Sequence, residues 1–176
     1  VPASAGSIVF DGADITRMPA WRVARLGIAH APEGRSVFAS LTVAENLELG
    51  LGRGSEAVER AYGAFPRLGE RRKQVAGTLS GGEQRMLSLA KVLAAPPKLL
   101  VVDELSLGLA PVVVEEVFTA LRSIRDAGTA LLIVEQHVGR ALSLADEAVL
   151  LQKGRVAHAG PTAELGDLVT QLLPSS

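Results

Sequence analysis

The sequence predicts an α/β protein in which a mainly parallel sheet is flanked by helices. Two apolar stretches, LLVV at 99–102 and TALLIVE at 129–135, have the length and composition of strands buried in a parallel sheet. Between them, Pro111 suits the first turn of a helix and Gly128 suits its C-terminal cap. A strand, a helix and a second strand in this order predict a right-handed parallel crossover.

Further strands are indicated at both ends of the chain. GSIVFDGADI (6–15) predicts a strand with a turn at its Asp-Gly pair (11–12). RLGIAHAP (25–32) predicts a second short strand that a proline stops. EAVLLQKGRVAHAG (147–160) predicts a hairpin that turns at the Lys-Gly pair (153–154).

Helical patterns fill the rest of the chain. Thr42 and Glu45 form a capping box at the start of a helix that we expect to close at Gly50. Residues 55–74 continue in a more polar helical pattern, broken at Pro66. Two further helices are expected at 138–145 and 161–173. The fold class is therefore α/β with a helical insertion.

A basic cluster closes this insertion. Its members are Arg67, Arg71, Arg72 and Lys73. The cluster is either a docking surface or a solvated helix face, and the second interpretation is the more common one for such a run.

The composition limits the class of protein. The chain has 176 residues, 48% hydrophobic and 21% charged, which is ordinary for one domain with a sizeable core. Its net charge of −1 argues against a nucleic-acid partner, because phosphate binding needs a basic surface. The absence of cysteine excludes disulfides and thiolate metal sites. The first ten residues lack the pattern of a signal peptide, and no apolar run spans a bilayer, so we expect a cytosolic type of domain.

The sequence Ser80-Gly81-Gly82 stands where a helix begins. Ser80 and Glu83 form a second capping box. A helix N-terminus has unpaired N–H groups and a partial positive charge, so it attracts anions. Gly81 and Gly82 would let a phosphate approach the backbone, and Ser80 adds a hydroxyl. The same residues also begin helices that bind nothing, so this fragment alone leaves both possibilities open.

Two carboxylates follow the apolar strand, in LLVVDE (99–104). The carboxyl end of a parallel strand lies at the crevice where ligands bind in such folds. Asp103 could hold Mg²⁺ as a hard oxygen ligand, and Glu104 could orient or deprotonate a water molecule. The alternative is an acidic strand end that faces solvent.

In combination, these segments are specific. LSGGE (79–83) followed by LLVVDE (99–104) resembles the signature and Walker B motifs of ATP-binding cassette (ABC) ATPases. IAHAPEGRSVFASLTVAENL (28–47) is similar to the family's Q-loop and the segment after it. ELSLGLAP (104–111) resembles the D-loop, and LLIVEQH (131–137) the switch region. The motif sequences are most similar to those of the ATP-binding subunits of branched-chain amino-acid importers. Urea and short-chain amide importers are the alternative.

The resemblance implies a mechanism in which two cassettes face head to tail and bind two ATP molecules between them. The implied ATP-binding residues are Ser80, Gly81, Gly82, Glu83, Glu33 and Gly108. Asp103 and Glu33 would hold Mg²⁺, Glu104 would be the catalytic base, and Gln136 would be the second catalytic residue. The cofactors implied are therefore ATP and Mg²⁺.

The resemblance also implies partners and a division of the chain. Residues 1–37 and 76–176 would form a portion of the catalytic core, and residues 38–75 the helical subdomain. The implied partners are a second ABC ATPase subunit, a transmembrane permease that docks near residues 33–41 and, indirectly, a substrate-binding protein. A prokaryotic subunit of this kind is peripheral on the cytoplasmic face of the cell membrane.

The chain departs from the family pattern at Glu33, Leu105, Ala110 and Gln136. Gln136 stands where the family usually has histidine; its amide can hydrogen-bond a phosphate but cannot take up charge. His137, the next residue, either substitutes by a register shift or is structural. Leu105 replaces the usual proline, which we expect to loosen the backbone after Glu104.

The phosphate-loop pattern G-x-x-x-x-G-K-[ST] does not occur in this sequence, which contains no Gly-Lys pair. We therefore expect about three-quarters of a cassette, inactive alone, with apolar surface and a sheet edge uncovered. Two interpretations of the function remain: the ATPase subunit of an importer and a non-catalytic interaction module. A cassette ATPase acting on ribosomes or DNA repair complexes is disfavoured, because neither tandem cassettes nor a coiled coil occurs.

Overall fold

The computed structural model describes residues 3–31, 37–135 and 138–165, with only the backbone of Leu93. The chain divides into two compact units, and the division falls between Ile133 and Val134. In chain order, the strands are β1 (Val9–Phe10), β2 (Ala13–Asp14), β3 (Ile28–Ala31), β4 (Leu99–Asp103), β5 (Ala130–Val134), β6 (Glu147–Gln152) and β7 (Arg155–Pro161). The α-helices are α1 (Ala20–Arg25), α2 (Val43–Leu51), α3 (Glu56–Ala64), α4 (Pro66–Glu70), α5 (Gly81–Ala94), α6 (Pro111–Asp126) and α7 (Val138–Leu144).

The first two strands form an antiparallel hairpin in which Phe10 pairs with Ala13. Asp11 and Gly12 make the turn, with φ angles of 49° and 77°. Positive φ at both positions suits a two-residue hairpin turn, and Asp-Gly is a favoured pair there. The turn that the sequence predicts is therefore confirmed.

A three-stranded sheet in the order β3-β4-β5 contains the two apolar strands predicted from the sequence. Strands β3 and β4 are parallel, with Ile28 opposite Leu99 and Ala31 opposite Val102. Their carboxyl ends therefore lie at the same edge of the sheet. Helix α6 connects β4 to β5, which borders β4 on the side away from β3.

Burial in this sheet differs from the prediction. On β4, Leu100 and Val102 are fully buried, but the alternate positions are only half-buried. The sequence predicts that β4 is buried on both faces. This is wrong for the face of the alternate positions, which the described residues cover only in part. On β5, Leu132 and Val134 are 54% and 52% exposed. Among the described residues, the sheet thus presents two exposed apolar side chains on β5.

The helical insertion begins with α2. The Thr42 hydroxyl accepts a hydrogen bond from the Glu45 N–H at 3.2 Å, and the Glu45 carboxylate accepts one from the Thr42 N–H at 2.7 Å. This confirms the predicted capping box. The predicted end at Gly50 is wrong by one residue, since the helix continues to Leu51. Gly52, with a φ of 86°, is the residue that terminates it.

The basic cluster lies at the end of this insertion, after α3 and α4 have met at the predicted break before Pro66. Arg72 lies 4.0 Å from the centroid of the Tyr62 ring and 3.5 Å from the Glu59 carboxylate. Arg71 forms an ion pair with Glu83. Helix α4 ends at Glu70, so the predicted helix face is wrong for residues 71–73, which lie in the turn after it. The contacts of Arg71 and Arg72 within the chain argue against a docking surface.

Helix α5 packs against α2, α3 and α6. Met86 and Ala90 are buried, as their helical spacing predicts, whereas the side chain of Leu93 lies outside the described atoms. The largest fully buried side chains around this helix include Leu47, Leu68, Leu87, Leu89, Val117, Leu121 and Ile124. Close packing of this kind fixes the direction of α5, and hence the position of its N-terminus.

The second unit contains α7 and the antiparallel hairpin of β6 and β7. Lys153 and Gly154 make the turn with φ angles of 49° and 75°, which confirms the predicted turn. The helix predicted from 161 is wrong in its first residues, because Pro161 ends β7 and Thr162–Glu164 form only a short 3-10 helix. The rest of that prediction, from 166 onward, lies outside the described residues. In the parts of the chain that the structure describes, no helix is long and apolar enough to cross a membrane.

Candidate functional site

The N-terminus of α5 is fixed by a reciprocal cap. The Ser80 hydroxyl oxygen accepts from the Glu83 N–H at 3.3 Å. The Glu83 carboxylate accepts from the Ser80 N–H and from the Ser80 hydroxyl, each at 2.9 Å. The capping box predicted here is confirmed. The role of Ser80 and Glu83 in binding ATP stays a prediction.

The Glu83 carboxylate is held in its ionised form. Burial alone raises its pKa, but the hydrogen bonds from Ser80 and the charges of Arg71 and Arg67 outweigh that effect. Its pKa therefore lies below the ordinary value of 4.5. A negative charge in the first turn of α5 also interacts favourably with the helix dipole.

The two glycines of the signature have different surroundings. A Cβ added at Gly81 would meet no atom within 4 Å, so its backbone faces open space. A Cβ at Gly82 would lie 2.7 Å from Cγ1 of Val113 on α6. Gly81 can thus be approached by a ligand, whereas Gly82 permits the close packing of α5 on α6.

The segment before α5 is also fixed. Gln84 is buried, and its Nε2 donates to the carbonyl oxygens of Ala76 at 3.0 Å and Leu79 at 3.1 Å. Gly77 lies so close to Ala39 that an added Cβ would be 2.8 Å from its carbonyl oxygen. The approach to Ser80 is therefore rigid. Sequence patterns gave no signal for the role of Gln84.

The carboxylates lie at the end of β4. Asp103 is the last residue of the strand, and Glu104 follows with a φ of 44°, in the left-handed region that non-glycine residues seldom adopt. Leu105 is 2% exposed and Ser106 is 1% exposed, so the chain is anchored directly after Glu104. The Leu105 side chain is packed in the core, and the expectation that it loosens the backbone relative to proline stays a prediction.

Arg85 links the two halves of the candidate site, and sequence reasoning missed it. From the second turn of α5, its Nη1 donates to the carbonyl oxygen of Glu104 at 3.3 Å and its Nη2 to that of Leu107 at 3.0 Å. In the sequence, this contact is indicated only by a cation among the apolar positions of α5. The sequence does not show which carbonyl groups that cation reaches.

The remaining predicted site residues are only partly described. Gly108 is exposed, has a φ of 71° and has open space where a Cβ would stand. Glu33, Gln136 and His137 lie outside the described residues. Within residues 3–31, 37–135 and 138–165, no group of three or more histidine, aspartate or glutamate side chains could hold a metal. Mg²⁺ usually takes one or two carboxylates together with phosphate and water oxygens, so a strand end with Asp103 fits this ion.

Comparison with known proteins identifies the class. The family profile described as ABC transporter matches residues 1–106. The chain is 42% identical over 160 residues to the high-affinity branched-chain amino acid transport ATP-binding protein BraG of Pseudomonas aeruginosa, across 88% of this chain and 68% of that protein. It is 39% identical to the probable branched-chain amino acid transport ATP-binding protein LivF of Archaeoglobus fulgidus, across 91% of this chain and 70% of that protein.

A more distant relative agrees with this class, and a solved structure agrees with the fold. The chain is 33% identical to the lipopolysaccharide export system ATP-binding protein LptB of Escherichia coli K12, across 95% of this chain and 73% of that protein. The fold matches the ADP conformation of MJ1267, an ATP-binding cassette of an ABC transporter, with a TM-score of 0.80 and 23% identity over 98% of this chain and 76% of that one. This chain belongs to the ABC transporter family, as an ATP-binding subunit.

Proposed function

We propose that this chain provides the signature motif and the Walker B carboxylates of an ATPase that powers the import of branched-chain amino acids. The substrate follows from what the names of the Pseudomonas and Archaeoglobus relatives say of those proteins. The observation that carries the proposal is the capped N-terminus of α5, where Gly81 faces open space and Arg85 joins the helix to the segment after Asp103.

The signature would act on an ATP molecule held by a partner cassette. The first N–H groups of α5 have no partner within the helix and are aligned with its dipole, which suits the γ-phosphate. Ser80 and Gly81 would contact that phosphate, while Gly82 keeps α5 against Val113. Donors that are already in place stabilise the charge that develops in the transition state.

Hydrolysis would use the carboxylates at the end of β4. Glu104 would accept a proton from the water that attacks the γ-phosphorus, while the bond from that phosphorus to the ADP oxygen breaks and ADP leaves. Mg²⁺, held by Asp103 with Glu33, would neutralise charge on the phosphate oxygens when bound. Gln136 would hydrogen-bond the γ-phosphate or the water. Glu83 and Gly108 would complete the nucleotide-binding set.

The permease would dock beside the helical subdomain, which we place at residues 38–75. Phe38 is 56% exposed, yet its backbone is held by two hydrogen bonds with the buried Asn46 amide, at 2.8 Å and 2.9 Å. The Lys91 ammonium lies 5.7 Å from the centroid of its ring. An exposed aromatic side chain on a rigid backbone suits a docking contact, because little conformational entropy is lost on binding.

Docking can be tested by transport. We expect Phe38→Ala together with charge reversal at Arg35 to abolish transport while ATP binding persists. Leu49→Ala, at a position 63% exposed on α2, is the matched control and should leave transport intact. Transport that survives both changes would refute this docking site.

A second candidate function is a non-catalytic interaction module. Residues 1–176 contain no Gly-Lys pair, so a phosphate loop would have to come from outside these residues. Transport of urea or short-chain amides is an alternative substrate assignment within the first function. In either case, substrate choice would lie with the permease and the binding protein.

Turnover distinguishes these functions. The assay uses a fusion in which a segment with the phosphate-loop pattern precedes residue 1, called here the loop-fused cassette. We expect it to hydrolyse Mg-ATP, and we expect Glu104→Gln to lower turnover by about 10²–10⁴-fold and to trap ATP-bound dimers. Normal turnover by Glu104→Gln would remove Glu104 from the mechanism. No turnover by the unsubstituted fusion, despite ATP binding, would support the interaction module.

A further inference from the structure

Arg85 stands between two parts of the molecule that the proposed function assigns to different ATP molecules. Its backbone belongs to α5, whose N-terminus would face the ATP of the partner cassette. Its guanidinium contacts the segment that follows Asp103, which would serve this chain's own ATP. The two donors reach the carbonyl oxygens of Glu104 and Leu107 at 3.3 Å and 3.0 Å.

The contacted segment has an unusual backbone. Glu104 has a φ of 44° and Gly108 has a φ of 71°. Between them, the Leu107 N–H donates to the Glu104 carbonyl at 3.2 Å, and the Leu109 N–H donates to the Ser106 carbonyl at 3.2 Å. The Glu104 carbonyl therefore receives two donors, one from its own turn and one from α5. A backbone in a sparsely populated conformation persists only where its surroundings determine it.

We propose that Arg85 is a positioning residue that holds the backbone of Glu104 at a fixed position relative to the N-terminus of α5. It thereby also fixes the direction of the Glu104 carboxylate. The inference rests on the proposed role of Glu104 as catalytic base. A planar guanidinium has several donors in a fixed fork, so it can reach two carbonyls together, which a lysine ammonium or a shorter glutamine amide at this position cannot reproduce.

A displacement of α5 would consequently be transmitted to Glu104. Arg85 lies one helical turn after Gly81, so contact of a phosphate with the signature acts on the same rigid helix that carries the guanidinium. Binding at one ATP site of a dimer would thereby bias the base of the other site. This coupling is distinct from the chemistry that each site performs.

The first test uses amide hydrogen exchange on the chain itself, without nucleotide. We expect Arg85→Lys and Arg85→Gln to accelerate exchange of the Leu107 and Leu109 amides by about tenfold or more. Exchange within α5 and α6 should be unchanged. Arg122→Gln, at an exposed arginine of α6, is the matched control and should alter neither. Unchanged exchange at Leu107 and Leu109 in Arg85→Lys, or acceleration spread equally over α5 and α6, would overturn the proposal.

The second test uses turnover of the loop-fused cassette. We expect Arg85→Lys to lower kcat by about tenfold with the KM for ATP unchanged, because Arg85 acts on the base and not on substrate binding. In a Glu104→Gln background, the same substitution should have no further effect, as expected for two residues that act in one step. A fall in kcat in both backgrounds would overturn the positioning role.

Different results would contradict the catalytic role of Glu104 and the positioning role of Arg85. If Glu104→Gln keeps normal turnover, the proposed base is wrong, whatever Arg85 does to amide exchange. If Glu104→Gln abolishes turnover while Arg85→Gln keeps it, the base stands and the positioning role of Arg85 is wrong.

Discussion

Nε of Arg71 lies 3.0 Å from Oε1 of Glu83, and this ion pair joins the end of α4 to the first turn of α5. The other carboxylate oxygen of Glu83 accepts both hydrogen bonds from Ser80. The Glu83 side chain thus caps the N-terminus of α5 and connects this helix to the helical insertion. The geometry of the candidate phosphate contact therefore depends on the ionisation of Glu83.

Acidification should weaken this end of α5. A carboxyl whose pKa is lowered on folding contributes stability that is present above its unfolded pKa and is lost as pH falls through its folded pKa. For Glu83 this loss occurs below the ordinary value of 4.5. We expect the difference in unfolding free energy between wild type and Glu83→Gln, measured by urea titration, to be largest near neutral pH and to shrink in that acidic range. Glu70→Gln, at an exposed position, is the control. A Glu83→Gln difference independent of pH would show that the Glu83 charge does not stabilise this end of α5.

Removal of the Ser80 cap should lower both stability and ATP turnover, whereas removal of a cap elsewhere should lower stability alone. Ser80→Ala should lower the free energy of unfolding by about 1 kcal/mol, because it removes an N-cap. Ser55→Ala is a matched control, since the Ser55 hydroxyl caps α3 by accepting the Val58 N–H at 3.3 Å. Only Ser80→Ala should also lower ATP turnover of the loop-fused cassette, by about 10²-fold. Equal turnover by the two variants would mean that Ser80 is a helix cap and nothing more.

The signature glycines should respond differently to alanine. Gly82→Ala should destabilise the protein by about 1–3 kcal/mol, because its Cβ would overlap Val113. Val113→Ala should relieve that cost, with a coupling of about 1 kcal/mol in a double-mutant cycle of urea unfolding. Gly81→Ala should not destabilise the fold, since open space surrounds it, but should weaken turnover. Additive effects at Gly82 and Val113 would contradict the packing role.

Asn46 should be necessary for the segment that carries Phe38. Its buried amide donates to the carbonyls of Phe38 at 2.9 Å and Thr42 at 3.0 Å, and it accepts from the Phe38 N–H at 2.8 Å. Asn46→Ala should cost about 2 kcal/mol or more in unfolding free energy, because buried backbone groups lose their partners. Leu49→Ala on the exposed side of α2 should change it by less than about 0.5 kcal/mol. A cost for Asn46→Ala as small as that of Leu49→Ala would show that solvent replaces these hydrogen bonds.

Local signals in the sequence predicted most of the elements. Caps, prolines and Asp-Gly or Lys-Gly turns act within a few residues, so the capping boxes at Thr42 and Ser80 and the turn at Asp11 were correct. The helix end at Gly50 was misplaced, because both Gly50 and Gly52 fit a C-cap and only the backbone conformation distinguishes them. Boundaries of this kind depend on one φ angle.

Long-range contacts could not be predicted in the same way. Hydrophobicity indicated that β4 is buried but not that one of its faces is only half-covered. The restraint on the backbone after Glu104 was also missed, because it comes from Leu105 in the core and from Arg85 on another element. Such contacts depend on how helices and strands meet, which no periodic pattern records.

Contact between Ser80 and the γ-phosphate of an ATP molecule bound by a partner cassette can be tested directly by chemical labelling. The chain contains no cysteine, so Ser80→Cys introduces a single thiol. We would treat the loop-fused cassette carrying this change with an ATP analogue that bears a thiol-reactive group on its γ-phosphate. We expect covalent labelling at position 80 that excess ATP suppresses, and none in the Ser55→Cys control. Equal labelling at both positions, or none at position 80 while the analogue is bound, would contradict this contact.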